Sequence, residues 1–201
     1  ETLHTLMWCA RFLKCKHPEL PIQMAARLKE KGYKFVLDMY GSGKELEKTQ
    51  ALSKLLNVED VVCFKGNMPN DEILKAMREH EIFLFTSDKN EGWGAVANES
   101  MSNGCAIVAS DAIGSIPFLV NDGINGCIFE SCNLNSLCEK VEWLLDNPTE
   151  RKKITINAYH TMRDIWSPQN AANNFLKLVE VLQSGNNTML INGPCSKAYP
   201  I

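Results

Sequence analysis

Ile82-Phe83-Leu84-Phe85-Thr86-Ser87-Asp88-Lys89-Asn90-Glu91-Gly92-Trp93-Gly94-Ala95-Val96-Ala97-Asn98-Glu99, followed soon after by Ala106-Ile107-Val108-Ala109, decides how this chain is read. It opens on an apolar run without polar alternation, passes through a polar loop with two glycines, leads into a helix and ends on a second apolar run. A strand that is apolar on both sides is one that helices cover on both faces. Strand, loop, helix and strand in this order make a parallel βαβ unit.

The same pattern extends in both directions. Strands are expected at 6–9, 35–40, 61–64, 82–85, 106–109 and 126–129. Leu134, Leu137, Val141, Leu144 and Leu145 recur at helical spacing, as do Phe175, Leu178, Val179 and Leu182. Each set predicts a helix with one face on a core. Asn147-Pro148 and Ser167-Pro168 read as helix starts, a capping side chain before a proline whose missing N–H costs nothing there. The fold class predicted is α/β: a Rossmann-like parallel sheet of about six strands with helices on both faces. It occupies residues 1–184, and 185–201 read as a tail or a vector-derived extension.

Composition narrows the function. The 201 residues are 45% hydrophobic and 22% charged, with a formal net charge of −3, an ordinary balance that gives nucleic acid no basic surface. No apolar run approaches the roughly 20 residues of a membrane helix. Of the eight cysteines, Cys9, Cys63, Cys105 and Cys127 lie in or beside apolar runs, where a reduced thiol acts as a small core residue. With no Cys-x-x-Cys pair and no clustered histidines, no metal site is expected. Reduced thiols point to the cytoplasm.

Four segments, each after a predicted strand, carry chemistry, because an open parallel sheet binds ligands outside the carboxyl ends of its strands. Arg11, Lys14 and Lys16 follow the first strand. Arg11 and Lys16 can converge on one phosphate, although a solvated basic loop looks the same. Gly41-Ser42-Gly43-Lys44 follows the second; Asp38 and Glu45 stand where a P-loop needs Gly and Ser or Thr, and Leu46 where a dinucleotide fingerprint needs its third Gly. What remains is a glycine turn whose bare backbone can approach a ligand. Glu91 and Glu99 frame Gly92 and Gly94, in a loop that opens a helix. Carboxylates there can accept hydrogen bonds from vicinal hydroxyls, and helix-start amides can meet an anion; a dipole-favoured Glu at the helix start would also explain Glu91. Gly114-Ser115, in the loop after the fifth strand, can turn amides inward or form a plain connection.

In this order the segments resemble glycosyltransferase family 4, the large GT-B group of retaining, nucleotide-sugar-dependent enzymes. Arg11 to Lys16 is similar to the family's Gly-Arg-x-x-x-x-Lys loop, Tyr40 to Gly43 to its glycine loop and Val62 to Gly66 to its base-pocket strand. Glu91-Gly92-Trp93-Gly94 to Glu99 is similar to its paired-glutamate motif. The resemblance implies that Arg11 and Lys16 clamp the diphosphate, Glu99 holds the ribose hydroxyls and Glu91 holds those of the transferred sugar. The backbone at Gly94, Ala95 and Val96 would meet sugar and distal phosphate. Lys65, Gly66 and Asn67 would border the base, and Gly41 and Gly114 would line the donor. It implies no cofactor and no metal, a UDP- or GDP-linked donor, and a saccharide or lipid-linked acceptor held by an N-terminal domain that this chain lacks. The full-length enzyme would work in the cytoplasm or at the inner face of the membrane. Ala10, Ser115, Phe118 and Trp93 depart from the family's usual residues, the last two where donor identity is set. Two alternatives stay open: a GT-B-fold nucleotide-sugar epimerase, and a non-catalytic nucleotide-sugar-binding module.

Overall fold

The computed structural model describes residues 3–185, 190 and 192–197. Six strands form one sheet: β1 (His4–Cys9), β2 (Phe35–Tyr40), β3 (Val62–Gly66), β4 (Ile82–Phe85), β5 (Ala106–Ser110) and β6 (Cys127–Phe129). All neighbours are parallel and the order is β3-β2-β1-β4-β5-β6. All six predicted strands are present, with ends shifted by a residue or two.

Eight helices among the described residues connect and flank them: α1 (Glu19–Glu30), α2 (Leu46–Leu55), α3 (Asn70–Glu79), α4 (Val96–Ser102), α5 (Ile116–Leu119), α6 (Leu134–Asp146), α7 (Pro148–His160) and α8 (Pro168–Ser184). One core layer joins Leu6, Trp8, Leu37 and Leu84 to α1 and α6; the other joins Met7, Phe83 and Ile107 to α3, α4 and α5. Successive residues of β1 thus feed opposite layers, which is why its sequence is apolar without alternation. Each fully buried side chain of this size is worth about 1.5–3 kcal/mol, so the two layers dominate the fold's stability.

The strand order reverses between β1 and β4. From β1 the chain steps outward to β2 and β3, then returns to β4 and steps the other way. Connections leave the carboxyl ends of β1 and β4 in opposite directions, and a crevice opens between them.

Two expectations about helices need correction. Ser167 caps α8, its side chain accepting from Asn170 N, but Asn147 does not cap α7. Its side-chain amide instead donates to Trp143 O, 2.9 Å away at the end of α6. The stripe on α8 does not face a core: Phe175, Leu176 and Leu182 are exposed, and the buried residue of the helix is Asn174, which donates to Pro194 O at 3.1 Å. Both faces of the sheet are already covered by α1–α7. Periodicity shows that a face is apolar, not that anything lies over it. The tail expected at 185–201 falls partly outside the described residues.

Candidate functional site

The first segment after β1 is held by the segment after β2. Ala10 N donates to Tyr40 O at 3.2 Å, Phe12 N to Ser42 O at 2.8 Å, and Glu45 N to Phe12 O at 3.0 Å. Phe12 is fully buried against Trp8 and Phe64. With Phe12 turned inward, Arg11 faces solvent and its guanidinium makes no hydrogen bond or ion pair among the described residues. The glycine turn explains how the two loops come so close. A Cβ on Gly41 would lie 2.0 Å from Ala10 O, and one on Gly43 2.4 Å from Phe12 O. The bare backbone expected to approach a ligand approaches the arginine loop.

Beside these loops lies a cavity of about 330 Å³ whose wall includes Arg11, Gly41, Asn67, Asn70, Val96 and Glu99. It gathers Arg11, Gly41, Asn67, Val96 and Glu99 from four separate segments of the sequence reading. Burial holds the Glu99 carboxyl above the ordinary glutamate range, while a hydrogen bond with Asn70 works the other way. Sequence reasoning missed Met68, Asn70 and Ile73, which also line it. The signal was present in Asn67-Met68-Pro69-Asn70, a turn-forming cluster at the carboxyl end of β3.

Lys16 and Glu91 are not in that wall; they are ion-paired to each other. Lys16 ends a short 3-10 turn, Lys14–Lys16, anchored by Thr86: Trp8 Nε1 donates to Thr86 Oγ1 at 2.9 Å, and that hydroxyl donates to Lys16 O at 2.7 Å. Ser87 Oγ donates to Glu91 Oε2 at 3.2 Å. Burial pulls the Lys16 ammonium below the usual lysine range; Arg11 acts in the same direction, against Cys15 and Asp88.

Around Glu91 the backbone is tightly constrained. Gly94 has φ +71°, and a Cβ there would meet the Phe85 ring at 2.3 Å. The amides of Gly94, Ala95 and Val96 have no acceptor among the described residues. Gly114, expected to turn its amide toward a ligand, donates instead to Glu91 O at 3.2 Å, and a Cβ there would sit 2.0 Å from Gly92 O. Lys65 likewise turns away from the cavity wall, its ammonium 3.1 Å from Asp38 Oδ2, which also lies 3.3 Å from His80 Nε2. The Gly66 carbonyl is taken by Gly41 N at 2.8 Å.

The family described as glycosyl transferases group 1 matches residues 2–161. The chain belongs to this family. A relative in Bacillus subtilis, a poly(glycerol-phosphate) alpha-glucosyltransferase, is 29% identical over 125 residues, 61% of this chain and 18% of that protein. A D-inositol 3-phosphate glycosyltransferase of Corynebacterium aurimucosum is 29% identical over 157 residues, 74% of this chain and 37% of its own length. The chain therefore spans well under half of these relatives. Among solved structures, the C-terminal domain of a group 1 glycosyl transferase from Francisella tularensis superposes with a TM-score of 0.73 at 25% identity, covering 80% of this chain and 84% of that one. TarM of S. aureus, in complex with fondaparinux, alpha-GlcNAc-glycerol and UDP, gives 0.79 at 22% identity, covering 87% of this chain and 35% of that one, a likeness of fold. The fold is thus the Rossmann-like C-terminal half of a GT-B glycosyl transferase.

In this group 1 chain two of the residues singled out in the sequence, Trp93 and Phe118, meet in space. Trp93 stacks on Phe118 with centroids 6.0 Å apart, and Trp166 lies 5.4 Å from Trp93. Trp93 Nε1 donates to Asn98 Oδ1 at 2.9 Å, which fixes the ring over the start of α4. Among the described residues no group of three His, Cys, Asp or Glu side chains is placed to hold a metal ion. No helix among them is long and apolar enough to cross a membrane.

Proposed function

We propose that this chain is the donor-binding half of a retaining glycosyltransferase, and that the cavity at the switch point holds the nucleoside diphosphate of an activated sugar. One observation carries the reading: the cavity wall contains both an unpaired guanidinium, Arg11, and a carboxylate, Glu99. A guanidinium offers a fork that matches phosphate oxygens. A carboxylate accepts from two ribose hydroxyls at once. The open amides of Gly94, Ala95 and Val96 supply further donors for the distal phosphate or sugar. That structures of the same fold were determined with UDP supports a nucleoside diphosphate, UDP first, over other anions.

In this mechanism Glu91 holds hydroxyls of the transferred sugar, and Lys16 joins Arg11 on the diphosphate once a donor draws it from Glu91. Asn67 and Met68 border the base. As the bond from sugar to phosphate breaks, negative charge grows on the departing nucleotide, and the two cations stabilise it without a metal. The leaving phosphate oxygen assists the acceptor on its own face, which retains the anomeric configuration. The acceptor, a saccharide or a lipid-linked group, is bound by a further domain of the whole enzyme.

Calorimetry with UDP and GDP tests the reading. Saturable binding of one of them is expected, weakened about 10- to 150-fold by Arg11→Ala, the equivalent of one charge-assisted contact of about 1.5–3 kcal/mol. Equal affinity of wild type and Arg11→Ala would remove Arg11 from the site, and binding of neither nucleotide would overturn the proposal.

A further inference from the structure

Cys132 and His17 are 115 residues apart in sequence, yet Cys132 Sγ lies 3.5 Å from His17 Nε2. The other ring nitrogen, Nδ1, is 2.8 Å from Glu19 Oε1, and Asp88 Oδ2 is 3.3 Å from Nε2. Thiol, imidazole and carboxylate stand in the order of nucleophile, base and orienting acid. Both partners hold left-handed backbone, with φ +46° at His17 and +59° at Cys132. Histidine enters that region more readily than most residues, whereas cysteine does so at a cost, one that Cys195 shares with φ +66°.

Of the other thiols, Cys9, Cys15 and Cys63 are half-buried, and burial pushes Cys9 up to about 11. Cys105, Cys127 and Cys138 are buried, and burial pushes Cys105 up to about 12 and Cys127 up to about 11. Cys195 is exposed like Cys132, but no base lies beside it among the described residues. His17 and Glu19 also form part of the wall of a cavity of about 500 Å³ between α1 and α2, which Cys132 does not line.

We infer that Cys132 is a nucleophilic modification site, activated by His17 and open to small disulfides. With Nδ1–H donating to Glu19, Nε2 faces both the Cys132 thiol and the Asp88 carboxylate, and takes the proton of the thiol. Asp88 steadies that proton on the ring. The thiolate attacks one sulfur of the disulfide, the reagent's S–S bond breaks as the new one forms, and the departing thiolate takes the proton back from Nε2. Cys132 is oxidised to a mixed disulfide while the reagent is reduced by the same two electrons, so no further oxidant takes part. Asp88 belongs to the loop that carries Glu91, and its amide donates to Cys15 O at 2.9 Å.

The test is timed exposure of the folded chain to hydroxyethyl disulfide, a neutral reagent, with peptide mass spectrometry to locate the adduct. Cys132 should react at least about tenfold faster than Cys195, a modest share of what a positioned base supplies. His17→Asn, chosen because asparagine tolerates left-handed backbone, should lower Cys132 to the rate of Cys195 and leave Cys195 unchanged. Glu19→Gln keeps the ring but loses its orienting acid, and should slow Cys132 by a smaller factor. If His17→Asn shows no melting transition, the wild-type ratio and Glu19→Gln decide. Equal rates at Cys132 and Cys195 in the wild type, or a Cys132 rate that no variant changes, would overturn the assignment.

Discussion

The Lys16 ammonium and the Glu91 carboxylate are bound to each other, across 75 residues of chain. Both side chains are mostly buried, at 16% and 15% exposure. A buried pair that loses one member leaves the other without its counter-charge. A phosphate group is a second partner for that lysine, so the pair is a natural point of competition between ligand and protein. Glu91→Gln removes the competitor while keeping the shape of the side chain. It should leave UDP or GDP binding unchanged or tighter, and weaken the corresponding nucleotide sugar, because Glu91 is assigned to the sugar. Calorimetry with both ligands checks this; equal losses for both would mean that Glu91 does not separate sugar from nucleotide.

Arg11 and Lys16 should differ in their salt dependence. Arg11 is exposed and unpaired, whereas Lys16 lies in a partly buried pair. Screening acts strongly on exposed charges and weakly on buried ones. Raising salt should therefore erode most of the affinity difference between wild type and Arg11→Ala, and less of that between wild type and Lys16→Ala. Titrations at low and high salt measure both; the opposite ranking would show that Arg11 is enclosed once ligand is bound.

Glu99 sets a pH dependence whose sign follows from its environment. Burial raises its folded-state pKa, so the neutral carboxyl is favoured by the fold. That contribution is fully present below the ordinary glutamate range and is lost as pH rises through the raised value. Glu99→Gln should therefore raise the melting temperature at neutral pH and change nothing in acid. Binding runs the other way, since the ribose contact needs the ionised acceptor. Affinity for a plain nucleoside, which carries no titrating phosphate, should fall in the wild type as pH drops toward the raised value. In Glu99→Gln it should be weak and flat. A pH-independent wild-type affinity would separate Glu99 from the ribose.

How much of this was legible in the sequence depended on range. The strands were, because an apolar run such as Phe83 to Phe85 needs only its own residues to declare two buried faces. Arg11, Asn67 and the loop that leads to Glu99 could be placed at strand ends, and strand ends of a parallel sheet share one edge. The pairing of Lys16 with Glu91 was not legible, nor was that of Lys65 with Asp38. Each is made by side chains that meet only once the strands are ordered, and charge pairing leaves no periodic trace. The exposed face of α8 was misread because Phe175 and Leu182 keep helical spacing whether or not anything covers them. Gly114 was expected to turn its amide inward; that amide donates to Glu91 O, and the missing Cβ makes room for Gly92 O.

A Cβ at Gly43 would lie 2.4 Å from Phe12 O, 2.8 Å from Phe12 C and 2.9 Å from Phe12 N, with φ at +151°. Backbone cannot swing aside as a side-chain tip can, so Gly43→Ala must push the arginine loop from the strand-end turn. The bonds from Phe12 N to Ser42 O and from Glu45 N to Phe12 O then lengthen, and Arg11 moves with them. A substitution incompatible with the native backbone costs more than about 1 kcal/mol, and a chain of this size loses about 2–4 °C of melting temperature per kcal/mol. Gly92→Ala is the control: it sits in the acidic loop, its Cβ would meet nothing within 4 Å, and its φ lies outside the left-handed region. Gly43→Ala should melt several degrees lower and bind the nucleoside diphosphate more weakly even well below its melting temperature, while Gly92→Ala melts like wild type. If Gly43→Ala melts lower yet binds with unchanged affinity, Arg11 does not depend on that loop contact for its place in the cavity wall.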